Sequence, residues 1–478
     1  MPISSVHPLF TDMQGRWIRG EDSYQGEDKI KASGTTYLPA TSGQLIDGQG
    51  KGSSELGEKA YQAYKLRAIY PTLYKDAVEA AIGIMHREPP NIELPKVLEP
   101  MRENATLLSE GLEMLLRNIN TQQLMTGRLG ILGDIRVDRE KKTKPVILTY
   151  NAQTICNWDD SDVNGTADDV RLVVLDESGW QMDDAYNWSE VEKYRVLSFA
   201  DKDGIIAKEG VYGSAVFTAE MSLPGVELKV PQIMGNELKE IPFAFINSKD
   251  LSPTPDSPPL EGLAQSCLAI YRGEADYRQN LFMQGQDTLV RIGINDDDEK
   301  PVRTGAGARI DVPLNGDAKY IGVSSNGLSE QRTALENDYQ RAIQKAGQTL
   351  DSTSKAKESG EALRIRVSAQ TATLPQIAHA GAKGLEKVLK ALARWYGANE
   401  DEVVVTPNLN FTEADLNGKT LVEIMQAKGL GAPISEESIH EWLQKQGFTA
   451  MDYKSEVNLL SQEEPLPGKT IPSSADEE

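Results

Sequence analysis

Carboxylates are the most conspicuous chemistry-bearing groups of this chain, gathered at Asp159-Asp160 with Asp162, at Asp168-Asp169, at Asp183-Asp184 and at Asp296-Asp297-Asp298-Glu299. Paired carboxylates are what a metal-dependent nuclease needs, because they hold a Mg²⁺ that polarises a phosphoryl oxygen and activates a water. A metal centre draws its ligands from several elements, whereas a run of acids on a turn is ordinarily solvated, and these clusters are such runs. The four histidines, His7, His86, His379 and His440, fall in no HExxH or similar ligand spacing. No GxxxxGK[ST] loop is present, so a nucleotide-driven motor has no visible machinery. Gly305 and Gly307 lie in RTGAGAR, which lacks the GxGxxG spacing and has no room for a βαβ unit, and is expected to form a flexible turn. Cys156 and Cys267 are far apart in sequence and imply neither a disulfide framework nor a zinc site, so both are expected as reduced, buried thiols. No catalytic residue, metal or cofactor is assigned, and the expected role is not enzymatic.

A different chemistry is offered by the segment Asp351 to Gly360. It holds Ser352, Thr353, Ser354, Lys355 and Lys357, small hydroxyl donors beside two cations in an otherwise acidic chain. Such a loop suits transient contact with phosphates, the lysines supplying point charges and the hydroxyls neutral donors. Taken alone it also fits an ordinary connector with solvated lysines.

What positions that loop is a pair of strong helical patterns. Upstream, Leu335, Tyr339, Ala342, Ile343, Ala346 and Leu350 recur at helical spacing. Downstream, the stripe Leu363, Val367, Leu374, Ile377, Gly381, Leu385, Val388, Leu392 and Trp395 is broken by the single polar Gln370. The downstream helix would run on the order of 50 Å at about 1.5 Å per residue, with a kink expected at Pro375. A further helix opens at Leu260, with Leu260, Ala264, Cys267, Leu268, Tyr271 and Ala275 on one face. Short strands are expected at Leu289–Ile292, Ala308–Val312 and near Tyr320–Val323.

The preceding half predicts an α+β body. Residues 11–60 are interrupted by nine glycines and are expected to form a loop-rich arm. Helices follow over Ser54 to Met85, split at Pro71, and over Leu107 to Leu124. Strands are expected at Gly130–Val137, Pro145–Tyr150, Val170–Leu175, Val191–Phe199 and Ile241–Asn247. The Pro-, Ser- and Asp-rich stretch Asn247 to Pro259 is a connector. Val403–Val405 suggests a returning strand, and Leu416–Leu430 and Ser435–Gln446 suggest two helices, the second capped by Ser435.

The chain has 478 residues, more than one core usually supports. Its 50 Lys plus Arg against 72 Asp plus Glu leave a net charge of −22, which argues against broad gripping of nucleic acid but permits DNA to slide past. No apolar run is long enough for a membrane span, and MPISSVHPLF lacks the basic lead of a secretory signal.

The order of these elements, with the words WIRGEDSYQG (17–26), TYLP (36–39), LRAIYPTLYKDAVEAAIGIMHREPP (66–90), GRLGILGD (127–134), CNWD (156–159), PPLEGLAQSCLAIYRGEADYR (258–278) and SGEALRIR (359–366), resembles the portal proteins of tailed double-stranded DNA bacteriophages. The similarity covers about residues 15–445. It is closest to a branch often described only as a domain of unknown function.

The resemblance implies an elongated subunit with an N-terminal arm and wing (1–257), a first stem helix (258–286), a clip (287–327), a second stem helix (328–350), a tunnel loop (351–360), a long helix with a returning wing strand (361–412), a helical crown (413–460) and a disordered tail (461–478). It implies Ser352, Thr353, Ser354, Lys355 and Lys357 as DNA-contacting loop residues, Arg272, Arg278, Arg341 and Lys345 as channel-lining stem residues, and Asp296, Asp297, Asp298 and Glu299 as clip contacts.

The implied partners are the chain itself in a ring, as a dodecamer, double-stranded DNA without sequence preference, the terminase large subunit, a head-tail adaptor, and the major capsid and scaffolding proteins, with no membrane. The implied location is a virion vertex, after assembly in the host cytoplasm. The family has no catalytic residues or cofactors. The clip is short here, and nothing in the general pattern requires Pro375. The competing expectations are another head-neck adaptor or minor capsid protein, and a metal-dependent nuclease.

Overall fold

The computed structural model describes residues 3–137, 143–159, 170–183, 186–201, 203–207, 210–218, 227–284, 288–292, 317–321, 326–350, 373–409, 411, 418–445, 449 and 451–462. The chain is of the α+β class and divides into two compact units, Met1–Phe411 and Thr412–Glu478.

The first unit opens with helices where the sequence predicts a loop-rich arm. Helix α1 spans Pro8–Gln25, α2 Glu27–Ala32 and α3 Ser42–Ile46, followed by α4 (Leu56–Arg67) and α5 (Leu73–Met85). The glycines that break the pattern in the sequence are partly contact points. A Cβ on Gly20, within α1, would lie 2.3 Å from the Met125 carbonyl oxygen, so the glycine lets two helices approach. Local caps supply the rest: the His7 Nδ1 accepts the Leu9 amide ahead of Pro8, and Thr41 and Gln44 form a reciprocal capping box. Pro71 separates α4 from α5, as the sequence predicts.

Helix α6 (Leu112–Thr126) leads into the sheet β11-β2-β3, built from β2 (Arg128–Val137), β3 (Thr143–Asn151) and β11 (Phe243–Asn247). All five residues of β11 are buried, in keeping with the apolar run IPFAFI. A second sheet has the order β10-β8-β5-β4, from β4 (Ile155–Trp158), β5 (Leu172–Asp176), β8 (Lys193–Ala200) and β10 (Val211–Thr218), with the short β9 (Ile206–Ala207) on β8. The sequence does not predict β4 or β10. A separate hairpin, β6 (Gly179–Met182) with β7 (Trp188–Val191), is also unpredicted.

Helix α7 (Glu261–Gln284) and helix α8 (Asn326–Leu350) follow the connector, with strands β12 (Thr288–Ile292) and β13 (Asp317–Ile321) paired antiparallel between them. The strand expected at Ala308–Val312 lies outside the described residues.

Helix α9 (Leu374–Trp395) is buried along nearly all its length. Its first turns, Leu374, Ile377 and Ala378, belong to the helical core made by α4, α5, α7 and α8. Ala382 onward belongs to the core beneath the three-stranded sheet. One helix therefore ties both cores together. A Cβ on Gly384 would meet Ile246 at 2.4 Å, so α9 can lie against β11 only with glycine there. Pro375 is in the first turn of the described helix, where its missing N–H costs nothing. The expected kink concerns the stretch leading into Pro375, and residues 361–372 lie outside the described residues. Strand β14 (Val404–Thr406) returns to pair with β1 (Asn91–Glu93).

The second unit contains α10 (Gly418–Gly429), α11 (Glu436–Lys445) and α12 (Tyr453–Gln462). Ser435 accepts the Ser438 amide at 3.0 Å, the cap that its sequence position predicts, and His440 packs edge-on to Tyr453 with ring centroids 5.5 Å apart. Helix α12 is not predicted from sequence.

Candidate functional site

The connector ends at Pro258-Pro259, and α7 starts directly after it with apolar residues every three or four positions. That face lies on the helical body: Leu263, Ala264, Cys267, Leu268, Ile270, Tyr271 and Ala275 are all buried. Polar contacts fix its rotation. The Tyr64 hydroxyl donates to Asp276 Oδ1 at 2.5 Å, Arg272 Nε donates to the Tyr37 carbonyl at 2.8 Å, and Arg67 donates to Gln279 at 2.8 Å while stacking on Phe282.

Helix α8 runs back along α7. Asn280 donates to Gln331 at 3.0 Å near one end of the pair, and the Lys345 ammonium donates to Ser266 Oγ at 2.8 Å and to the Gly262 carbonyl at 3.2 Å near the other. Those two contacts define an antiparallel pair. Along it, only Ala342 and Ala346 of α8 are buried among the described side chains, with Leu335 and Tyr339 half-buried beside them. The rest of the helix is an exposed polar surface of alternating sign, on which Arg332 pairs with Glu336 at 2.8 Å and Arg341 with Asp338 at 3.4 Å.

The charge of this pair differs from that of the whole chain. Helix α8 has three carboxylates and three cations, and α7 has three carboxylates and two arginines, so the two helices contribute only −1 to the net −22. A nearly neutral, hydroxyl- and amide-bearing surface can touch a phosphate backbone without holding it.

Two of the four cations singled out in the sequence come together. Arg341 and Lys345 line one groove of about 340 Å³ on the α7–α8 seam, with Ser266, Ala269, Asp338 and Gln344. The other two do not join them: Arg272 is tied to the Tyr37 carbonyl, and Arg278 forms a 2.5 Å bridge with the buried Glu274 one helical turn away. Sequence reasoning missed Asp338 and Gln344 as groove residues, although their spacing to Arg341 and Lys345 places all four on one face of α8. Ser352, Thr353, Ser354, Lys355 and Lys357, like Asp296, Asp297, Asp298 and Glu299, lie outside the described residues.

Beneath the seam the helical core is hydrophobic enough to shift its titratable groups. Burial pushes the Cys267 thiol up to about 12, and burial with the nearby Glu274 raises the Tyr339 phenol. Cys156, in the sheet, is likewise pushed up to about 12 by burial, and both thiols are free and buried. Three of the four histidines have structural neighbours, His440 against Tyr453 being one. His7 stacks on Trp158 at 4.1 Å, and His86 shares a 2.9 Å hydrogen bond with Asn120, burial holding its pKa below the usual value. Among the described residues no group of three or more His, Cys, Asp or Glu could hold a metal ion, and no helix is long and apolar enough to cross a membrane.

Residues 259–396 match the family model described as domain of unknown function DUF4055, a span that opens just before α7 and ends just after α9. No curated protein matches the chain. Among solved structures, one chain of the neck of a native GTA particle, computed with C12 symmetry, is similar over 78% of this chain and 89% of that one, at 12% identity and a TM-score of 0.34.

Proposed function

We propose that this chain is a structural, non-enzymatic protein of a phage head-neck assembly, and more finely a portal subunit: copies close into a ring through which double-stranded DNA passes. The observation that carries this is the α7–α8 pair, two helices of 24 and 25 residues running antiparallel on either side of a small β-hairpin. One helix packs on the body and the other turns a nearly charge-neutral polar face outward. That is the order in which a stem, clip and returning stem follow in the family that the sequence resembles.

In this proposal α7 and α8 are the stem, residues 287–327 the clip and 351–360 the tunnel loop. The body before Pro258 is the wing, the helix following the loop crosses it, and the segment from residue 413 is the crown. The polar face of α8, with Arg341 and Lys345, lines the channel. Lys355 and Lys357 make brief, sequence-independent phosphate contacts, and Asp296 to Glu299 of the clip meet terminase or a head-tail adaptor. The assembly sits at a virion vertex, with the capsid and scaffolding proteins as further neighbours.

The test is packaging with a Lys355→Ala/Lys357→Ala chain. The expected result is particles that form normally but retain less DNA, with a loss that deepens as salt is lowered. Unchanged filling and retention would remove the loop from the mechanism. Cleavage of DNA by the purified chain in Mg²⁺ or Mn²⁺, abolished by Asn at Asp296 to Asp298, would replace the whole proposal with a nuclease.

A further inference from the structure

Among the described residues, exposed indoles gather in one place. On the hairpin β6–β7, Trp180 is 67% exposed, Trp188 62% and Met182 49%, and Tyr186 near the tip is 83% exposed. Among the described residues these are the exposed tryptophans and the exposed tyrosine. The register pairs Trp180 with Glu190 and Met182 with Trp188, so strand alternation puts Trp180, Met182, Trp188 and Glu190 on one face. The opposite face carries Gln181 and Ser189, joined by a bond from Ser189 Oγ to the Gln181 carbonyl. An isolated two-stranded hairpin is marginal in water. Two indoles left in solvent on such a hairpin are the composition of a binding hot spot.

The electrostatics of the patch narrow its occupant. Between Leu172 and Glu192 the sequence has six carboxylates and no lysine or arginine. Arg195 pairs with Glu177 at 2.6 Å, Asp183 Oδ1 accepts the Asn187 amide at 2.9 Å, and Glu190 stands on the aromatic face itself. A nucleic-acid strand would stack on the indoles, but it needs cations for its phosphates, and the one lysine at the hairpin, Lys193, donates to Gln181 on the opposite face at 3.0 Å. Indole faces beside a carboxylate suit a guanidinium or ammonium group, held by cation–π attraction and an ion pair at once.

We infer that the Trp180, Met182, Trp188 and Glu190 face of the β6–β7 hairpin is a docking site for a basic polypeptide segment of a partner protein. This does not depend on the channel proposal.

The test uses the full chain and a fluorescein-labelled hexa-arginine amide followed by anisotropy at about 0.15 M salt, where surface charges beyond about 8 Å are screened. Trp180→Leu/Trp188→Leu keeps apolar bulk but removes the π faces, and is expected to weaken binding about tenfold. Glu190→Gln is expected to weaken it about threefold, each on the scale of one lost charged contact. Glu79→Gln, which removes one exposed carboxylate on α5, should leave affinity within about twofold. Circular dichroism confirms the fold of each variant. Equal affinity of wild type and the tryptophan variant would overturn the inference, showing attraction to the acidic surface at large. So would concentration-dependent self-association lost in that variant while peptide affinity is unchanged, since a second copy would then cover the face.

Discussion

Lys345 reaches across the seam between two helices to donate to Ser266 Oγ at 2.8 Å and to the Gly262 carbonyl at 3.2 Å, so the late turns of α8 are fastened to the first turn and a half of α7. The contact accounts for one of the two cations of the seam groove. It also shows that a residue picked out as a channel cation is at the same time a structural clamp.

Replacing Lys345 with Ala is therefore expected to lower stability modestly, by about 0.5–1.5 kcal/mol for hydrogen bonds at an exposed site. Arg341→Ala, which loses only a 3.4 Å contact to exposed Asp338, should be close to neutral. Urea denaturation of the two variants side by side checks the difference.

Close approach of α9 to β11 gives a sharper test. Gly384→Ala places a methyl 2.4 Å from Ile246 Cγ1 and 2.5 Å from its Cδ1, and overpacking of this kind costs about 1–3 kcal/mol. Ile246→Ala alone leaves a cavity worth about 2–5 kcal/mol. The double substitution is expected to cost less than the sum, because each change fills or clears the space of the other, and a double-mutant cycle in denaturant reads that coupling.

Glu21 supplies a pH dependence. Burial, and then the neighbouring Asp22, raise its pKa above the ordinary carboxyl value of 4.5, while Gln153 donates to its Oε2 at 2.5 Å. A raised carboxyl pKa means that folding favours the protonated form. The penalty is then full above the folded pKa and vanishes below the unfolded one. Glu21→Gln should raise the melting temperature at pH 8, and that gain should shrink as pH falls toward 4.5. A gain that stays constant with pH would assign the effect to packing instead of charge.

Cys156 and Cys267 are both buried, with thiols pushed up to about 12. Neither is expected to react with a disulfide reagent at pH 8 while the chain is folded, and both should react on unfolding. Counting thiols released along a urea titration measures this, and the titration should follow the unfolding curve.

Much of the helical and strand pattern was legible in the sequence because burial there is one-sided or complete. The apolar stripe from Leu374 to Trp395, the face of α7 and the run that became β11 all show it. The first 60 residues misled because Gly20 serves a helix contact, a tertiary cause that no local pattern carries. Strands β6 and β7 were missed for a different reason: each is four residues long, too short for the alternation of Trp180 and Met182 with Gln181 to stand out in an acidic stretch. At the candidate site, helical spacing placed Arg341 and Lys345 on one face. It could not separate them from Arg272 and Arg278, whose positions depend on the Tyr37 carbonyl and Glu274.

The central claim is that α7 and α8 surround a channel, and a cryo-electron microscopy reconstruction of the purified full chain tests it most directly. The predicted result is a closed ring, about a dozen subunits by the family resemblance, with the polar face of α8, including Arg341 and Lys345, lining the central hole. A closed oligomer without a hole, or a ring with α8 on its outer rim, would contradict it.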